Sequence, residues 1–257
     1  MRHPAVIPSL LVVALPLAAA AQTRGSRCDV RREAVRELDA TSLSGVLVHA
    51  QSGTLEVTGG EADVLRVHAV ICASDAGMAD ASRLVVEERR GAAWIETDLP
   101  DGGGWDRDYA RMDLVVEMPG RLAADIRDGS GAISVRAIAG VHIDDGSGDI
   151  RVEDVDGPVE LDDGSGGIRI SGAASVELED GSGSIEIADV RGPVRILEDG
   201  SGEIVIRDIT GDVIIEEDGS GSIGVAGVGG DFIVRDDSSG SVSHSGVQGR
   251  VLLPRGR

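Results

Sequence analysis

Six acid pairs recur along the second half of this chain: Asp144–Asp145, Asp162–Asp163, Glu179–Asp180, Glu198–Asp199, Glu217–Asp218 and Asp236–Asp237. Carboxylates repeated at even steps can hold cations if the fold stacks them. Charges about 4.8 Å apart repel by roughly 0.9 kcal/mol even in bulk water, so a stacked row attracts counter-ions. Calcium takes carboxylate and carbonyl oxygens, and glycine-rich corners expose carbonyls. The chemistry to expect is therefore a cation ladder of Asp145, Asp163, Asp180, Asp199, Asp218 and Asp237, with calcium as the candidate ion. Two facts weigh against it. The order and period differ from the nine-residue calcium β-roll repeat, and aspartate is common in turns that bind no metal.

No catalytic constellation accompanies the ladder. Polysaccharide cleavage needs one distinguished pair of carboxylates flanking a bond, and here the acids are spread evenly. His49, His68, His142 and His244 do not cluster by spacing. His244 falls on an inward position of the last repeat. The serine of each repeat recurs equally, so none reads as a nucleophile. The expectation is a non-enzymatic protein with no cofactor other than a candidate calcium.

The acids are carried by a repeat. DGSG begins at Asp128, Asp145, Asp163, Asp180, Asp199 and Asp218, and DSSG at Asp237, in steps of 17, 18, 17, 19, 19 and 19 residues. A period near eighteen with a glycine turn in each copy signals a solenoid. Within a copy, Ile185 and Ile187 alternate with polar residues, Val190 follows, and Val194 and Ile196 alternate again. This is strand spacing with β-branched side chains inward. One copy buries too little to fold alone, so copies must stack through parallel ladders. Crossovers between parallel strands default to right-handed. The sequence thus predicts a right-handed parallel β-helix, with glycines where each coil turns tightly.

The sequence divides into a signal peptide over 1–21, a polar leader over 22–40, irregular coils and a cap over 41–120, and the regular repeat with a C-terminal cap over 121–257. Arg2, the apolar run Ala5–Leu17 and the small residues Ala18–Ala21 form the pattern of a secretory signal. The apolar run is too short to span a membrane. Export to a periplasm or outside the cell follows. There disulfides persist, and a bridge between Cys28 and Cys72 is expected. Asp75 reads as the cap of a short helix reaching Ser82. DGGGWDRD, residues 101–108, reads as a loop. Trp94 reads as cap core and Trp105 as a loop residue. Pro254, Arg255 and Arg257 would discourage end-to-end addition.

The formal net charge is −21, which argues against nucleic acid or anionic membrane as partners. Aromatics are 2% of residues, a poor supply for sugar-stacking platforms. One asymmetry stands out. The outward position of the second strand is His142, Glu160, Glu177 and Arg195 in early copies, then Ile214, Ile233 and Leu252. Val205 joins them from the first strand. This predicts an exterior apolar row, Val205, Ile214, Ile233 and Leu252, as a docking surface.

The run DGSGDIRVEDVDGPVELDDGSG from Asp145 to Gly166, the preceding MDLVVEMP and the signal peptide resemble the bacterial putative-adhesin family of unknown function, related to head domains of autotransporter adhesins. The resemblance spans roughly residues 41–253. It implies a right-handed β-helix in the cell envelope and no catalytic residues. The functional expectation is an adhesin-like binding or scaffolding module whose partner is an envelope or extracellular protein or glycan.

Overall fold

A computed structural model describes residues 28–101 and 108–254. The signal segment, Trp105 and the last two arginines lie outside the described residues.

Alternating apolar and polar residues fold each repeat into one coil with two strands, one in each of two eleven-stranded sheets. In the coil after the third DGSG, Ile168–Ser171 belongs to the first sheet and Ser175–Asp180 to the second. The next coil places Ile185–Val190 and Val194–Asp199 directly above them in parallel register. The chain is a β-solenoid. Its core is a set of aliphatic columns, such as Ile133, Ile150, Ile168, Ile185, Ile204 and Ile223, all buried and aligned coil over coil.

Two corners close each coil. At one, the second glycine of DGSG sits on the carbonyl of its counterpart below. A Cβ on Gly183 (φ +154°) would lie 1.6 Å from the Gly166 oxygen. Glycine is therefore demanded by contact as well as by torsion. At the other corner one residue per coil turns left-handed. Asp154, Asp189 and Asp208 (φ 54–58°) do so, and short polar side chains tolerate that region. The longer repeats accommodate an extra residue as a bulge: Glu179 pairs with Glu198 although Leu178 pairs with Ile196, leaving Leu197 over.

The N-terminal coils differ from the sequence expectation in order. Strand Val46–His49 lies between Ala92–Asp98 and Ala123–Asp128, and Leu55–Gly60 lies between Ala110–Pro119 and Ile133–Arg136. The coil built by residues 46–60 is thus inserted between two later ones. The stack ends in antiparallel strands: Val64–Ala73 against Ala110–Pro119, Val30–Asp39 outside it, and Arg83–Arg89 on the second sheet. The stretch read as a polar leader is largely this outermost strand. Arginine and glutamate fill it, as a protected edge requires. Helix Ala76–Ala81 forms where expected, with the Asp75 carboxylate accepting from the Met78 amide at 3.0 Å.

Cys28 and Cys72 are joined, stapling the outermost strand to its neighbour across 44 residues. Closing such a loop in the unfolded chain is worth about 4 kcal/mol in the chain-entropy account. Reduction, or Cys28→Ser with Cys72→Ser, is expected to lower stability by up to about that amount, read by urea unfolding with and without reductant.

Of the residues expected at the C-terminal cap, Arg255 and Arg257 lie outside the described residues. Strand Gly240–Val247 is largely exposed, Val251–Leu252 is two residues long, and Pro254 follows. His244 takes an inward register position, 6.1 Å from the buried Phe232 ring, and is exposed among the described residues.

Candidate functional site

The acid pairs do not share an edge. Strand alternation splits each pair across the wall of the solenoid. Asp144, Asp162, Glu179, Glu198, Glu217 and Asp236 face solvent. Their partners Asp145, Asp163, Asp180, Asp199 and Asp218, and Asp128 of the first copy, face the core and are 1–8% exposed. Asp237 closes the column half-buried. The reason is parity. Val141, Ile143 and Asp145 occupy alternate positions of one strand, so the aspartate continues the inward set. In the longer repeats the bulge restores that parity: Ile196 and Asp199 are three apart and both buried.

The column is in strict register. Asp128 pairs with Asp145, then Asp163, Asp180, Asp199, Asp218 and Asp237 follow, one per coil. Few donors reach it. The Ser165 amide donates to Asp163 Oδ1 at 3.2 Å, and the Ser182 amide to Asp180 Oδ1 at 3.1 Å. Both side-chain oxygens of Asp128, Asp145, Asp199 and Asp218 lack a protein partner. Burial pushes the carboxyls up: Asp128 and Asp199 to about 7, Asp163 to about 6, and Asp145, Asp180 and Asp218 upward as well. Charge on column neighbours adds to burial at Asp128, Asp163, Asp199 and Asp218.

This geometry is poor for calcium. The ion needs six to eight oxygens, and each coil offers one carboxyl. The aspartates' own carbonyls already accept from the next coil, as Asp145 O does from Gly164 N at 2.9 Å and Asp199 O from Gly219 N at 2.8 Å. Among the described residues no three His, Cys, Asp or Glu side chains gather as a metal site.

The apolar row is in register on the outer face of the second sheet: Arg195, Ile214, Ile233 and Leu252 stack in that order. Ile214 and Ile233 are half-buried and Leu252 is 49% exposed. Val205 does not belong to it. It lies on the other sheet, between Glu186 and Gly224. There the outward column runs Arg169, Glu186, Val205, Gly224 and Ser243, also losing charge toward the C-terminal end. Charges persist beside the isoleucines, where Glu216 pairs with Arg195 at 2.8 Å and with Arg235 at 2.5 Å.

Sequence reasoning placed Trp94 inside the cap. The side chain is instead on the outer face, half-buried. It packs 4.4 Å from His49 with Arg89 at 4.5 Å over the ring, and its Nε1 donates to Glu96 at 2.9 Å. The parity of Ala93 and Ile95, both buried, could have shown this. His142 lies 3.7 Å from Glu160 and His68 3.8 Å from Glu33, both on the surface. The four histidines remain apart.

The fold and these columns define a repeat β-solenoid. No protein-family model matches the chain. No curated protein matches it. Solved structures do. A Clostridium sporogenes chain described as a "putative cell adhesion protein" is 10% identical, covering 87% of this chain and 99% of that one, with a TM-score of 0.32. A Bacteroides fragilis "putative adhesin" is 13% identical over 87% and 97%, with a TM-score of 0.37. A Parabacteroides distasonis "putative lipid binding protein" is 14% identical over 86% and 96%, with a TM-score of 0.38. Each of these names belongs to that protein.

Proposed function

We propose that this chain is an exported, non-enzymatic β-solenoid that acts as a binding or scaffolding module of the bacterial cell envelope. The observation that carries this reading is the loss of charge on both outer faces of the last coils. Ile214, Ile233 and Leu252 replace His142, Glu160, Glu177 and Arg195 on one sheet. In a chain of net charge −21, an aliphatic row on a solvent face is a selective feature. Its aliphatic character favours a protein partner over a glycan, which would be met by aromatic platforms. The disulfide supports an oxidising compartment. Among the described residues no helix is long and apolar enough to cross a membrane.

The test is co-sedimentation of the mature protein with bacterial envelopes, before and after protease treatment of the envelopes. The wild type should bind, protease should abolish binding, and Ile214→Asp with Ile233→Asp should weaken it at least about tenfold, a loss of ~1.4 kcal/mol. Unchanged binding by a folded double variant would overturn the reading.

A further inference from the structure

We propose that the inward aspartate column, Asp128 to Asp237, is a stack of shared protons, in which carboxyls of successive coils hydrogen-bond to one another along the solenoid axis. An ionised carboxylate only accepts, whereas a carboxylic acid carries one O–H donor. Two ionised neighbours therefore cannot bond, and a column of them would be buried, unpaired and mutually repelling.

Turn amides of Gly129, Gly146, Ser147 and Ser201 favour the charged forms of Asp128, Asp145 and Asp199, but burial outweighs them and none closes a hydrogen bond of ordinary geometry. Asp163 and Asp180 each receive one serine amide, on Oδ1 alone. The remaining oxygens of the column from Asp128 to Asp218 have no partner. The opposite wall offers the aliphatic column Ile133, Ile150, Ile168, Ile185, Ile204 and Ile223. The charged groups that act on the column are its own members and, on Asp145, the neighbouring Asp144. No arginine is among them. Asp199 and Asp218 occupy paired positions of adjacent coils, as do Asp218 and Asp237, and each acts electrostatically on the next. Parallel stacking repeats that pairing once per coil, at a backbone spacing of about 4.8 Å.

A proton on one carboxyl satisfies its neighbour and removes a charge at once. The donor keeps an acceptor for the coil on its other side, so the bonds can run the length of the stack and reinforce one another. The column is thus a proton-binding spine. Raising the pH strips it and leaves like charges stacked in the core. The coils should then loosen where the donors are fewest, at Asp128 and Asp145 and at Asp199 and Asp218.

The test is infrared absorption of the carboxyl groups in the folded wild type at pH 6, in chelator, beside Asp180→Asn/Asp199→Asn/Asp218→Asn. The wild type should show a protonated-carboxyl band that shrinks in the triple variant and fades as pH is raised to 8. The triple variant, whose amides donate at any pH, should melt at least about 5 °C above the wild type at pH 8. A wild type fully ionised at pH 6 would overturn the proposal, whether or not the variant folds. So would saturable calcium binding at pH 6 that the variant loses, which would make the column a metal file.

Discussion

Alanine at Gly183 is expected to abolish folding. The added Cβ would stand 1.6 Å from the Gly166 oxygen and 2.7 Å from its carbonyl carbon, both backbone atoms of the coil below. The only relief is to separate adjacent coils that are joined by parallel ladders on both sheets. The residue also sits at φ +154°, a torsion that side chains rarely adopt. Steric overlap of backbone with backbone belongs among the largest single-residue effects, above about 4 kcal/mol. The same approach, 1.5–1.8 Å, recurs at Gly148, Gly166, Gly202, Gly221 and Gly240. Gly60→Ala is the control, because a Cβ there meets nothing within 4 Å. It should change stability by less than about 0.5 kcal/mol. Urea unfolding of both variants checks the pair.

Asn at position 199 is expected to stabilise the protein at pH 8 and to do little at pH 4. Burial raises the Asp199 carboxyl from 3.8 to about 7. Between those values the folded chain holds a proton that the unfolded chain has released. Stability from this group is whole below pH 3.8, falls as pH rises toward about 7, and is fully lost above it. The loss amounts to about 4 kcal/mol for Asp199 alone, an upper figure because solvent and neighbouring protons relax it. Asp199→Asn removes the titration, so it should recover up to about that much at pH 8. Surface acids work in the opposite sense. Asp39 accepts from the Thr41 hydroxyl and amide, and Asp231 is held by Arg250; both are held below their usual range. Their small contributions disappear as pH falls below about 4. Wild-type stability should therefore peak near pH 4–5. Denaturant midpoints of wild type and Asp199→Asn at pH 4, 6 and 8 check both statements.

Much of this was legible from the repeat. Alternation at Ile185 and Ile187, then Val194 and Ile196, marked the two strands of a coil, because one wall of each strand faces a shared core. The row Ile214, Ile233 and Leu252 could be aligned because the last repeats have equal length. Asp75 announced its helix through its own side chain. The aspartate column was misplaced because a turn residue was assumed to face water. Strand parity continues one residue further than the apolar code, and Ile143–Asp145 carries it. Val205 was misassigned because a linear alignment does not say which sheet a strand joins. The insertion of residues 46–60 between later coils was not legible, since it depends on pairing across more than thirty residues. Trp94 was drawn inward by its type although its neighbours Ala93 and Ile95 held the inward positions.

Neutral carboxyls inside the solenoid are tested most directly by counting protons. Acid–base titration of the folded protein and of the same protein in urea, between pH 5 and 7 in chelator, gives the difference in bound protons. The folded form should hold several more protons than the unfolded form across that range. An equal or smaller number would mean that the interior aspartates are ionised, and the column would need another occupant.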